Sequence, residues 1–164
     1  MCYTNTSMRT LSLFLALAAG ALPAADLATK KALTLEVAKQ IAAAAEAEAA
    51  KNKWNVVICV VDDGAHVVYL QRMDETQIGS VEVAQEKART AVRFKRPSKA
   101  LEDAVAGGRM AVLGLPGATP VEGGIPLMAD GKLIGAIGVS GVTSQQDGQI
   151  AAAGGAALAK IVGR

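Results

Sequence analysis

Aromatic residues make up only 3% of this 164-residue chain, histidine occurs once and cysteine twice. Each scarcity closes off a class of function. So few aromatics leave little for nucleic-acid bases to stack on. The net charge of +2 comes from basic residues scattered along the chain, with no run to track a phosphate backbone. One histidine, with no CxxC or HExxH spacing, leaves no classical zinc site. It also leaves no second imidazole for a serine or cysteine triad. Cys2 sits in an N-terminal leader and Cys59 stands alone beyond it, so no internal disulfide forms and the fold rests on packing. No apolar run, that of the leader included, is long enough to cross a bilayer as a helix.

What is abundant is small and aliphatic. Half of the chain is apolar, mostly Ala, Val, Leu and Ile, and 17 glycines point to close backbone approaches. The length suits one domain with a real core. Residues 1–25 read as a secretory signal peptide. Arg9 precedes the apolar stretch Leu11 to Ala19, and the small residues Gly20, Ala21, Ala24 and Ala25 follow it. Ala19-Gly20-Ala21 best fits the cleavage rule, and Met8 also suits a start. The expectation is a periplasmic or secreted protein, its single domain spanning 26–164.

Within that domain Thr34 is placed to cap a helix, with Leu35, Ala38, Ala42, Ala45 and Ala49 at helical spacing and an end near Lys53. Val56 to Val61 is β-branched and apolar on both faces, the mark of a central strand covered on both sides. Asp62-Asp63-Gly64 supplies a turn, and Val67 to Met73 pairs back. Ser80 starts a second helix that Pro97 stops. Ser98 caps a shorter one ending at Gly107-Gly108. The stretch from Met110 to Gly124 reads as loop with room for one short strand. Ile125 to Ala129 and Lys132 to Ser140 form a hairpin about Asp130-Gly131, and Ser144 to Val162 is a last, Ala- and Gly-rich helix. Gly154-Gly155 in its middle costs about 1 kcal/mol per position relative to Ala. Tight packing against a sheet or a second subunit would offset that. Antiparallel pairs set between helices make an α+β layered sandwich.

Three groups of residues carry potential chemistry. His66, just past the first turn, reads either as an axial metal ligand of a haem-like cofactor or proton carrier, or as a solvated turn residue. Asp62, Asp63, Asp74 and Glu75 offer hard oxygens, although Asp-Asp-Gly is also ordinary turn chemistry. Gly107-Gly108, Gly123-Gly124 and Gly138-Val139-Ser140-Gly141 form the third group. The last lies between a strand and a helix start, where free N–H groups attract carboxylates or phosphates. Lys132, Arg109 or Arg93 could add charge. No lysine follows the glycines as a P-loop requires, and tight turns with close packing explain them equally well.

Taken in order, Val60-Val61-Asp62-Asp63-Gly64-Ala65-His66-Val67-Val68 with Arg72-Met73-Asp74 resembles the first hairpin of the GlcG/HbpS-like family. Lys87-Ala88-Arg89-Thr90-Ala91, Phe94 and Arg96-Pro97-Ser98 are similar to that family's helix-turn segment. Gly123-Gly124-Ile125-Pro126, the run Asp130 to Gly141, and Gln146-Asp147 resemble its C-terminal block. The likeness runs from about Leu33 to about Leu158. It implies a profilin-like α-β-α sandwich around an antiparallel sheet of about five strands, assembled as a homo-oligomer, often an octamer. It also implies a haem or other tetrapyrrole ligand, with haem degradation or redox sensing among the family's roles. His66 is the metal-ligand candidate, and Gly123, Gly124, Gly138, Ser140 and Gly141 shape the cofactor pocket. Two further expectations stay open. One is an accessory protein or enzyme acting on a small hydroxy acid such as glycolate, and the other is a ligand-free assembly module.

Overall fold

The computed structural model describes residues 25–163. The expected signal segment, save its last position, lies outside the described residues.

The first helix, α1 (Leu35–Asn52), starts where the Thr34 hydroxyl accepts the Val37 N–H. It ends at Lys53, whose left-handed backbone lets its N–H return to the carbonyls of Ala49 and Ala50. Its buried stripe is Ala38, Ile41, Ala42, Ala45 and Ala49. Four alanines in five positions let another backbone come close, and the last helix, α4 (Ser144–Val162), fills that groove. A Cβ added at Gly154 would meet Ile137 Cδ1 at 2.6 Å and the Ala45 methyl at 3.1 Å. Gly154 therefore serves close contact of α4 with the sheet and α1. Thr143 caps α4 in a reciprocal pair with Gln146.

Four strands form one antiparallel sheet in the order β2-β1-β4-β3: β1 (Val57–Asp62), β2 (Val67–Arg72), β3 (Gly124–Ala129) and β4 (Lys132–Ser140). β1 is central and buried along nearly its whole length, as its unbroken apolar run requires. Ile58 and Val60, with Ile137 and Val139 of β4, face α1 and α4. Val57, Cys59 and Val61, with Ala136, face the second helix, α2 (Ser80–Phe94). Each fully buried Val or Ile contributes roughly 1.5–3 kcal/mol of transfer free energy. β3 is an edge strand and tolerates Pro126, whose missing N–H would break an inner ladder.

The architecture is the expected α+β sandwich with helices on both faces, but the sheet has four strands where about five were expected. Met110–Gly114 winds into a short 3₁₀ turn. Gly114, Pro116, Gly117 and Pro120 then deny the following chain the regular N–H spacing of a strand. The short helix α3 (Lys99–Ala106) begins after Ser98 as expected, yet Ser98 does not cap it. Its hydroxyl donates to the Val121 carbonyl at 2.6 Å and accepts the Gly124 N–H at 2.9 Å, tying the helix start to β3. No helix among the described residues is long and apolar enough to cross a membrane.

Candidate functional site

The lone imidazole sits at the tip of the β1–β2 hairpin. Asp62 Oδ1 accepts the N–H groups of Gly64 and His66, each at 2.9 Å, and Ala65 adopts a left-handed φ of 66° to close the turn. This fixes the His66 backbone and brings its Nδ1 to 3.5 Å from the same carboxylate oxygen, while the side chain stays 83% exposed. A carboxylate beside one ring nitrogen leaves the other, Nε2, open for a ligand. Arg89 of α2 reaches over to the Ala65 carbonyl and Asp63 pairs with Lys30 at 2.6 Å, so the turn is held from two sides.

Asp63 also lines a cleft of about 450 Å³, together with Lys95, Met128, Gly131, Lys132 and Leu133. Three elements build it. The two hairpin tips supply Asp63 and residues 128–133, and the end of α2 supplies Lys95, whose left-handed φ of 51° ends that helix. Two ammonium groups, an exposed thioether and an aliphatic wall converge there; His66 follows Asp63 by three positions in the same turn and does not itself line the cleft. Among the described residues no cluster of three or more His, Cys, Asp and Glu side chains is placed to hold a bare metal ion. A metal that arrives already held by a macrocycle needs only one axial side chain from the protein.

The glycines lie elsewhere. β4 pairs Gly138 with Cys59 and Ser140 with Val57, so Ser140 is level with the start of β1 and Gly141 lies just beyond it, whereas His66 lies beyond its end. At about 3.3 Å per residue the two ends of β1 are roughly 17 Å apart. A Cβ at Gly138 would run into the Ala84 carbonyl, one at Gly124 into the Lys87 carbonyl, and one at Gly141 into the Asn55 carbonyl. These three positions let α2 and the β1 entry press directly on the sheet. Ser140 Oγ donates to Ser80 Oγ at 3.3 Å in the same seam. Gly123 and Gly124 also line a small hollow of about 190 Å³ with Glu122, Lys99 and Gly148. The structure thus brings Gly123, Gly124, Gly138, Ser140 and Gly141 into one region and keeps His66 out of it.

The helix start after Gly141 holds an anion of the chain's own. Asp147 accepts the N–H groups of Val142 and Gly141 through its carboxylate, and Lys87 Nζ donates to its other oxygen at 2.7 Å. Burial pushes the Asp147 carboxyl up, and the hydrogen bond from Lys87 opposes that shift. Gly123, with φ of 129°, leaves room for the lysine: a Cβ there would stand 3.0 Å from Lys87 Nζ. Reading the sequence for anion-binding glycines pointed to this place and missed its occupant. Lys87 and Asp147 both lie in the quoted motifs, yet sixty positions separate them and nothing local couples them. Lys95 and Met128 were missed for the same reason.

Helices on both faces of an open antiparallel sheet, with a ligand-sized cleft between its hairpin tips, define a small α-β-α sandwich protein. The chain belongs to the HbpS-like family, described as haem-degrading proteins, whose model matches residues 33–156. It is 46% identical over 112 residues to Protein GlcG of Escherichia coli K12, covering 68% of this chain and 84% of that protein. The crystal structure of a double mutant of Streptomyces reticuli HbpS superposes with a TM-score of 0.74 at 33% identity, covering 85% of this chain and 98% of that one. A structure described as a PduOC:haem complex gives a TM-score of 0.71 at 32% identity, covering 77% and 95%.

Proposed function

We propose that this chain is an exported tetrapyrrole-binding protein that takes haem in the cleft between its two hairpin tips. The observation that carries the reading is the open imidazole of His66, backed by Asp62 and in the same turn as Asp63, which lines a cleft with two ammonium groups and an apolar wall. His66 Nε2 would hold the iron. Lys95 and Lys132 face the ligand's carboxylates, and Met128 and Leu133 cover its apolar body. Likeness to a family described as haem-degrading and to a solved haem complex supports the choice of ligand.

Bound haem would supply redox chemistry at its iron. The chain's own contribution is to orient one imidazole through Asp62, hold two carboxylates and shield one macrocycle face. Export through residues 1–25 to the periplasm or outside the cell, assembly as an octamer, and haem degradation or redox sensing belong to the same proposal. Titration of the full chain with haemin tests it. One equivalent should bind with a shifted Soret band, and His66→Ala should return the band to that of weakly held haemin. An unshifted band removes the ligand; a shift identical in His66→Ala removes the axial assignment alone.

A further inference from the structure

We infer that a second, separate site lies in the slot between the end of α2, α3 and the 3₁₀ turn, and that it takes a compact amphipathic carboxylate. The slot encloses about 330 Å³; Phe94, Leu101, Val112 and Leu115 form apolar walls, with Arg96 and Arg109 at the rim. Of the five clefts described on this molecule it alone has a polar lining that is entirely cationic. The others carry Glu46, Asp74 and Glu75, or Asp63, or Asp130, or Glu122 among their walls.

Both guanidinium groups are available. Among the described residues neither Arg96 nor Arg109 lies in an ion pair, although Arg89, Arg93 and five lysines do. Arg96 donates only its Nε, to the Phe94 carbonyl at 3.1 Å, which fixes the side chain and leaves the two terminal nitrogens free as a fork. A guanidinium fork matches a carboxylate in two parallel hydrogen bonds, a geometry that an ammonium cannot offer. Two unpaired guanidinium groups above an aromatic and aliphatic floor describe a ligand with one charged end and one apolar end. At about 30 Å³ of liquid water per molecule the slot holds roughly eleven waters, which sets the guest at on the order of ten non-hydrogen atoms. The slot shares no lining residue with the cleft between the hairpin tips, so this site is independent of the haem reading.

Isothermal titration of the full chain with octanoate, octanamide and octylammonium tests the inference. Octanoate should bind one per chain, the neutral amide at least roughly tenfold more weakly, and the cation not at all. Arg96→Ala and Arg109→Ala should each weaken octanoate by roughly tenfold or more with the melting temperature unchanged, because both side chains are exposed. His66→Ala should leave octanoate binding intact, which separates failure here from failure of the haem site. Absence of octanoate binding at millimolar concentration, equal binding of acid and amide, or full binding by the double arginine variant would each overturn the assignment.

Discussion

Lys87 and Asp147 form an ion pair at 2.7 Å with both side chains only 2% exposed, joining the middle of α2 to the first turn of α4. Both charges are out of water, and the pair persists because Asp147 also takes two backbone N–H groups and Gly123 yields space to the lysine.

Removing one partner leaves the other charge buried and alone. Lys87→Met should cost about 3–5 kcal/mol of unfolding free energy. The double change Lys87→Met with Asp147→Leu should recover much of it, since two apolar groups of similar volume often replace such a pair neutrally. Urea denaturation of the two variants measures this, and a single variant within about 1 kcal/mol of the native chain would show the pair to be dispensable.

Two glycines should respond to alanine in opposite directions. At Gly138 the new methyl meets the Ala84 carbonyl, and α2 must lift from the sheet at a cost of about 1–3 kcal/mol. Gly79 has ordinary helical angles, φ −59° and ψ −24°, with nothing near its absent Cβ. Gly79→Ala should stabilise by about 0.4–1 kcal/mol through the unfolded chain. Melting temperatures of the two variants should move apart.

Cys59 lies under α2, and burial pushes its thiol up to about 12. It should resist iodoacetamide at pH 8 in the folded chain and react fully in denaturant. Mass spectrometry of the Cys59 peptide reads the outcome, and labelling of the folded chain would mean that α2 lifts readily.

Glu48 ties α1 to α4, and hydrogen bonds from Gln149 at 2.6 Å and from Asn52 hold its carboxyl below the usual range. A lowered folded value means the contribution is present above the unfolded value of 4.5 and is lost as pH falls through the folded one. The melting temperature should therefore fall on acidification below that value, and Glu48→Gln should show a smaller fall over the same interval.

Much of the fold was legible because it follows from local chemistry. The two-faced apolar run of β1, the Asp130-Gly131 turn and the Thr34 cap each act through neighbours within a few positions. The 3₁₀ turn at Met110–Gly114 was not legible, because Gly114 and the glycines and prolines that follow it disfavour a strand without naming what replaces it. The glycine motifs were visible but ambiguous: a glycine that admits a phosphate and one that admits a helix carbonyl look alike in sequence. Only the position of α2, and Lys87 on it, shows that here the approaching groups are the chain's own. His66 was legible as a candidate, but its separation from Ser140 by the length of β1 depends on strand register, which no local pattern carries.

Paramagnetic broadening in the amide spectrum of the full chain, on addition of one equivalent of ferric haemin, tests the central claim most directly. Signals of residues 62–66, Lys95 and 128–133 should disappear first, and those around Gly124 and Gly138 should persist. Broadening centred on any other surface, or a spectrum that haemin leaves unchanged, would contradict the placement of the ligand between the hairpin tips.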